Sequence, residues 1–228
     1  AAVLAVSALT GCSTSAGAAT TAAQTEASTT DAAKAETEKK ETAKTAEASE
    51  KAQDTASEEI AAAAGKHHVK INVKDYGTIS VELYGDEAPI TVANFLKLAK
   101  DGFYDGLTFW RIIDGFMMQG GDPKGDGTGG ADETINGEFS SNGVKNDLSH
   151  VRGTISMAIS SAPDSASSQF FIVHEDSTFL DGEYACFGYV TDGMDVVDAI
   201  CEDTKVEDNN GTVAKENQPV IESIQVID

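Results

Sequence analysis

The stretch Phe109–Asp122, FWRIIDGFMMQGGD, contains the pattern that decides the fold. Aliphatic and aromatic side chains dominate it, and it predicts two neighbouring strands, Leu107–Ile113 and Phe116–Gln119. Arg111 and Gln119 are the polar exceptions in this apolar setting. An Arg among aromatic side chains must meet an anion or a hydrogen-bond acceptor, because an unpaired buried charge is costly. Taken alone, Arg111 fits either a structural ion pair or a functional site.

Outward from this stretch, apolar residues alternate with polar ones and predict further strands. The segments Val69–Val73 and Ile79–Leu83 flank Tyr76-Gly77, which together predict a hairpin. Helical apolar spacing after Pro89 and again at Met194–Cys201 predicts two helices. The remaining predicted strands are Gly153–Ala158, Gln169–Val173, Tyr184–Thr191 and Val220–Ile227. Many short strands with two separated helices indicate an antiparallel barrel or sandwich.

Sequence motifs typical of cofactor, metal and nucleophile sites are either absent or lack the flanking sequence that they require. Gly125, Gly127 and Gly130 satisfy G-x-G-x-x-G, but the polar sequence that follows is not typical of the helix that a dinucleotide fold requires. None of the four His joins Cys or carboxylates at metal-ligand spacing. No G-x-S-x-G nucleophile motif occurs. We therefore expect no cofactor and no metal.

The central stretch resembles the cyclophilin signature F-x-R-I-I-x-G-F-M-x-Q-G-G-D. The resemblance extends in order over essentially all of residues 67–228. It continues through Gly127–Gly130, Gly153–Ala158, Ser168–Ile172 and Leu180–Gly182.

This resemblance implies a mainly β fold, a closed eight-stranded antiparallel β-barrel capped by two α-helices. It also implies an enzyme, a peptidyl-prolyl cis/trans isomerase that accelerates rotation about X–Pro bonds in folding proteins. Arg111 matches the catalytic Arg of the family, and Gln119 matches the Gln that positions it. The substrate-binding residues implied by the match are Phe116, Met117, Gly127, Ala158, Ile159, Gln169, Phe171, Phe179, Leu180 and Tyr184.

Three of these positions depart from the common family pattern. Phe179 stands where many eukaryotic members have Trp, and Tyr184 stands where they have His. Both changes keep an aromatic wall, so we expect catalysis to survive, whereas tight binding of the cyclic peptide cyclosporin is in doubt. Ile159 replaces a residue that is usually polar and that is expected to contact peptide mainly through its backbone.

Composition limits the partners. Residues 67–228 carry 10 basic and 28 acidic side chains, a net charge of −18. Such a surface repels phosphate backbones, so we expect no nucleic-acid partner. We expect a monomer that acts on proline-containing unfolded or secreted polypeptides. The alternative is a non-enzymatic chaperone or surface module that binds proline peptides on the same fold.

The first 66 residues differ in amino-acid composition from the rest of the chain. They contain none of the 15 aromatic residues, and Ala and Thr supply 18 and 10 of positions 13–66. The apolar run Ala1–Leu9 resembles the apolar middle of a secretory signal peptide, and Leu9–Cys12 resembles a bacterial lipobox, in which the Cys carries lipid. We therefore predict a partial lipoprotein signal peptide at 1–11, a lipid-anchored low-complexity linker at 12–66, and an isomerase domain at 67–228. The predicted location is the extracytoplasmic face of the cell membrane, with lipid attached to Cys12.

Two further cysteines, Cys186 and Cys201, lie in apolar segments of the domain. Buried thiols and a disulfide between them are both compatible with the sequence, because pairing depends on distances that it does not give.

Overall fold

A computed structural model of the chain describes residues 56–228. Helix α1 covers residues 56–62 of the described part. The two longer helices are α2, Pro89–Lys100, and α3, Met194–Asp203. The strands are β1 Lys66–Val73, β2 Gly77–Tyr84, β3 Thr108–Ile113, β4 Met117–Asp122, β5 Thr154–Met157, β6 Phe170–Val173, β7 Cys186–Asp192 and β8 Ile221–Val226.

All eight strands join one sheet in the order β3-β4-β6-β5-β7-β2-β1-β8, and every neighbouring pair is antiparallel. The prediction of eight antiparallel strands and two main helices is therefore confirmed. Strand boundaries differ from the predicted ones by a few residues, as is usual where hydrogen bonding, and not hydropathy, ends an element.

The predicted closed barrel is wrong, because the sheet is an open, curled half-barrel. Strands β3 and β8 form its two edges, and they meet through an isolated bridge between Thr108 and Val220 near their beginnings. Farther along β3, Arg111 bridges to Thr212, which lies outside the named strands. A segment of irregular chain therefore occupies the edge that β8 would need for a continuous ladder.

Helix α2 is held at its N-terminus by a residue distant in sequence. Its first turn contains Pro89, but neither Ala88 at the cap position nor the acidic residues just before it supply a side-chain cap. Instead the buried carboxylate of Glu138 accepts hydrogen bonds from the backbone N–H groups of Ile90 and Thr91, at 3.1 and 2.8 Å. A carboxylate at this end satisfies free N–H donors and suits the helix dipole.

The core is built around aromatic rings from several elements. Phe95 of α2 contacts the rings of Tyr104, Phe170 and Phe187 at centroid distances of 5.1 to 5.5 Å. Phe109 of β3 contacts Phe170 as well. All five side chains are fully buried, so α2 is locked onto the inner face of the sheet.

Residues 56–65, predicted to belong to the linker, pack against the domain. Ala63 is buried, and its carbonyl oxygen lies so close to Gly85 that a Cβ there would approach to 1.5 Å. Gly65 N–H donates to Asp86, and Glu59 pairs with Lys97. The packed unit thus begins before residue 67. The predicted signal peptide, Cys12 and linker residues 12–55 lie outside the described residues.

Among residues 56–228, no helix has both the length and the apolar composition needed to cross a bilayer. Cys186 and Cys201 are buried free thiols, which resolves the alternative left open by the sequence. Burial raises the pKa of each thiol to about 12. Neither is therefore a thiolate nucleophile at neutral pH.

Candidate active site

Strand register brings the catalytic candidates into one row across four strands. Arg111 of β3 lies opposite Gln119 of β4, Gln119 lies opposite Phe171 of β6, and Phe171 lies opposite Ser156 of β5. Residues paired in register point to the same face of a sheet. The row therefore places a cation, an amide and an aromatic ring next to one another.

This row forms part of a cavity that encloses about 450 Å³, counting its open mouth. The cavity combines one guanidinium and one amide with mainly apolar walls. Nine of the twelve residues predicted for catalysis and binding line it: Arg111, Phe116, Met117, Gln119, Ala158, Ile159, Phe171, Leu180 and Tyr184.

The guanidinium of Arg111 is held from two sides. Its Nη1 donates to Gln119 Oε1 at 3.4 Å, while Nε and Nη2 donate to the backbone and side-chain oxygens of Asn210 at 2.8 and 3.2 Å. Burial lowers the pKa of Arg111, against the raising effects of Tyr184 and Asp208. An Arg nevertheless keeps its charge in proteins, so the site contains a fixed, partly desolvated cation.

Gly127 and Gln169 line a second cavity next to the first. It encloses about 660 Å³ including its mouth and shares Gln119, Ala158 and Ile159 with the first cavity. The side chain of Gln169 accepts from Gln119 Nε2 at 3.0 Å and donates to the carbonyl oxygen of Gly127 at 3.3 Å. Gln169 thus connects the amide next to Arg111 with the loop around Gly127.

The loop around Gly127 is fixed by a buried carboxylate. Asp122, at the end of β4, accepts hydrogen bonds from the backbone N–H groups of Lys124, Asp126 and Gly127 at 2.6 to 3.1 Å. This arrangement satisfies the carboxylate with main-chain donors and holds the wall of the second cavity in place.

Phe179 is the predicted binding residue that lines neither cavity. Its side chain is 73% exposed and stacks on Phe116, with ring centroids 5.7 Å apart. Phe179 therefore extends the apolar wall outward from the rim, where a bound peptide could cover it.

The sequence did not identify a buried network behind the cavity wall. His150 bonds Asp181 Oδ1 through Nδ1 at 2.8 Å and Ser156 Oγ through Nε2 at 2.9 Å, and its ring stacks on Phe171. The connectivity is that of a hydrolase triad, but Ser156 is fully buried and lies inside the strand row. The network therefore supports Phe171 and offers no accessible nucleophile. Neither His150 nor Asn210 carries a local motif, so only tertiary structure could reveal them.

The buried His150 predicts a pH dependence of stability. Burial lowers its pKa, with Asp181 opposing, so the folded state binds a proton less readily than the unfolded state does. The stabilising contribution is complete above the unfolded pKa of about 6.5 and is lost as the pH falls below it. In urea titrations, acidification from roughly pH 7 to 5 should destabilise the wild type more than His150→Gln. Equal losses in the two proteins would contradict this account.

Among residues 56–228, no three His, Cys, Asp or Glu side chains are grouped so that they could hold a metal ion. The site places the guanidinium of Arg111 beside an apolar cavity, and the amide of Gln119 lies next to both. Such a site can bind an apolar ring and donate hydrogen bonds to a polar group next to it.

Comparison with known proteins identifies the family to which the chain belongs. The family described as "Cyclophilin type peptidyl-prolyl cis-trans isomerase/CLD" matches residues 68–226. Peptidyl-prolyl cis-trans isomerase B of Bacillus subtilis is 46% identical over 144 residues, which cover 63% of this chain and 92% of that protein. A peptidyl-prolyl cis-trans isomerase of Synechococcus elongatus is 50% identical over 116 residues, or 51% of this chain and 75% of that protein.

A solved structure has the same fold. The cyclophilin type peptidyl-prolyl cis-trans isomerase of Cryptosporidium parvum, crystallised in the presence of the dipeptide Ala-Pro, superposes with a TM-score of 0.62 at 31% identity. The match covers 71% of this chain and 99% of that one. The chain described here belongs to the cyclophilin family and is a peptidyl-prolyl cis-trans isomerase.

Proposed function

We propose that Arg111 accelerates rotation about X–Pro bonds by donating a hydrogen bond to the prolyl nitrogen as the amide twists. Rotation is slow because amide resonance must be broken, at a barrier of about 18–20 kcal/mol. A twisted amide places a lone pair on nitrogen that the planar amide lacks, so a donor there stabilises mainly the transition state. The observation that carries this proposal is a partly desolvated guanidinium at an apolar cavity, with Gln119 3.4 Å away.

The apolar cavity receives the proline ring. Its walls, formed by Phe116, Met117, Phe171 and Leu180 among others, can hold a small apolar ring while the preceding carbonyl swings. The same walls limit the access of water, which would otherwise compete for the guanidinium. The Ala-Pro dipeptide named for the Cryptosporidium parvum structure is consistent with a proline-binding role for this cavity.

The second cavity receives peptide residues before the proline. It adjoins the first cavity at Ala158 and Ile159, so an extended peptide can occupy both. Gln169 lies next to Gln119 in the second cavity. Its amide bonds to Gln119 and to the carbonyl oxygen of Gly127, so it fixes Gln119 relative to the loop that flanks the peptide. No covalent step or metal is needed for this chemistry, because no bond in the substrate forms or breaks.

Cis-to-trans exchange in a proline tetrapeptide tests this proposal. The wild-type chain should accelerate exchange at substoichiometric concentrations, as NMR exchange measurements would show, whereas a binding module would hold peptide without changing the rate. Retention of both Arg111 and Gln119 in hydrogen-bond contact favours the enzyme over the binding module. A peptide with Ala in place of Pro is the control for proline dependence.

The protein acts outside the cytoplasm, tethered by lipid on Cys12, on secreted polypeptides that are still folding. Support comes from the lipobox-like Leu9–Cys12 and the low-complexity segment that follows. A diacylglycerol anchor supplies two acyl chains, which hold a protein far better than one. The net charge of −18 in residues 67–228 keeps the domain soluble beside an anionic membrane.

Replacing Cys12 with Ala tests the anchor. In cells that produce the protein, Cys12→Ala should lose incorporation of labelled fatty acid and leave the membrane fraction or remain unprocessed. Ser13→Ala is the matched control and should stay lipidated and bound. Full processing and membrane retention of the Cys12→Ala variant would refute the anchor without affecting the isomerase assignment.

A further inference from the structure

Arg111 lies on an edge strand whose outer side is covered by a loop from near the C-terminus. The backbone N–H of Ile112 donates to Gly211 O at 2.8 Å, and Val213 N–H donates to Trp110 O at 3.0 Å. These two bonds flank Arg111 on both sides along β3. The loop is therefore in register with the catalytic candidate itself.

The loop has its own internal brace, which centres on Asp208. The Oδ1 atom of Asp208 accepts from the backbone N–H groups of Asn210 and Thr212 at 2.9 and 3.0 Å, and Oδ2 accepts from Thr212 Oγ1 at 2.9 Å. Gly211 N–H donates in turn to the backbone carbonyl of Asp208. A short carboxylate that satisfies successive N–H donors is a strong way to fix a turn.

Gly211 lets this turn approach β3 closely. Its φ of +82° lies in the left-handed region, where residues with a Cβ are strained. A Cβ at this position would lie 2.3 Å from Ile112 O. The close approach brings both oxygens of Asn210 to the guanidinium, the backbone oxygen to Nε and the side-chain oxygen to Nη2.

We propose that Asn210 and the Asp208 brace position Arg111 for catalysis. Gln119 holds one side of the guanidinium and Asn210 holds the other, so its plane and its remaining N–H donors have a fixed direction. Without Asn210 the side chain could rotate toward solvent, since Arg111 is only partly buried. Asn210 is a positioning residue in this scheme, and the inference rests on the proposed role of Arg111.

Steady-state kinetics of four variants test the proposal. Asn210→Ala should lower kcat about 3- to 10-fold with KM nearly unchanged, because it removes one hydrogen bond that orients the guanidinium. Asp208→Ala should lower kcat by roughly tenfold or more, because it also releases the backbone carbonyl of Asn210. Asp208→Asn keeps an acceptor for the turn and should restore most of the activity. Asn209→Ala is the matched control, since Asn209 is exposed and makes no hydrogen bond within the described residues.

Hydrogen exchange at the Nε–H of Arg111 is a spectroscopic test of the positioning role. If the loop only stabilised the fold, its variants would not change this exchange rate selectively. Because the Nε–H donates to Asn210 O, its NMR resonance should exchange slowly with solvent in the wild type and in Asp208→Asn. It should exchange quickly in Asp208→Ala, while the backbone amides of β4 and β6 remain protected.

Two results would overturn the positioning role. One is wild-type kcat in Asn210→Ala. The other is equal loss in Asp208→Asn and Asp208→Ala, which would mean that the charge of Asp208 acts on Arg111 and not the shape of the loop. Arg111→Ala separates the two proposals. If Arg111→Ala loses activity while the loop variants do not, only the positioning inference fails, whereas an active Arg111→Ala overturns the catalytic assignment itself.

Discussion

Replacing Arg111 with Ala should lower the rate of X–Pro isomerisation by about 10²- to 10³-fold while peptide binding changes little. Losing a charged donor directed at a developing lone pair typically costs about 2.7–4 kcal/mol of transition-state stabilisation. The planar amide does not offer that lone pair, so the ground-state complex loses much less. Arg111→Lys should also be poor, because an ammonium cannot reproduce the planar fork held between Gln119 and Asn210.

The measurement is kcat and the peptide dissociation constant for each variant, with far-UV circular dichroism as the control for folding. Arg111 is partly buried and faces a cavity open to solvent, so its removal should leave the sheet intact. A folded Arg111→Ala variant with near-native isomerase activity would refute the proposed role of Arg111, and only the fold assignment would remain.

Phe170→Ala should cost about 3–5 kcal/mol of folding free energy, whereas Phe171→Ala should chiefly weaken substrate binding. These neighbours in β6 point to opposite faces of the sheet, since strand side chains alternate. Phe170 is fully buried and contacts the rings of Phe95, Tyr104 and Phe109. Phe171 lines the cavity, where its truncation enlarges a space that solvent already reaches.

Urea unfolding and peptide titration of both variants distinguish the two roles. Phe171→Ala should raise KM and lower kcat, because the ring supports the proline site and stacks on His150. Phe170→Ala, if it remains folded at low temperature, should bind peptide nearly as well as the wild type. Similar stability losses in the two variants, with similar binding, would mean that the inward and outward faces are not functionally separate.

Period-two alternation predicted β1, β2 and β8, because a half-buried strand shows its inner face in its own sequence. Strands β5 and β6, in which every residue is buried, have no such alternation. Closure of the barrel was not predictable in this way. It depends on whether β8 or an irregular segment occupies the free edge of β3, and the bridge between Arg111 and Thr212 joins residues in distant parts of the chain. The role of Glu138 at the N-terminus of α2 was not predictable for the same reason, since Glu138 lies 48 residues after Ile90 in the sequence.

The sequence predicted those residues of the candidate site that lie in contiguous motifs. Arg111, Phe116 and Gln119 belong to one short stretch, and strand register then brings Phe171 beside them. His150 and Asn210 have no such context. A lone His without ligand spacing and an Asn in a polar loop are common, so their contacts with Phe171 and Arg111 became visible only once the chain was folded.

The position of β1 in the sheet has a consequence for how the enzyme is made. The first strand pairs with both β2 and β8, so one edge of the sheet is completed only by the last segment of the chain. The partner of Arg111 at Asn210 likewise lies 99 residues downstream. A chain still being synthesised, if it ends before Asp208, holds its cavity-lining residues but lacks the loop and β8. Such long-range closure is slow compared with local folding. We therefore expect a nascent chain to reach full activity only after the loop and β8 have been synthesised.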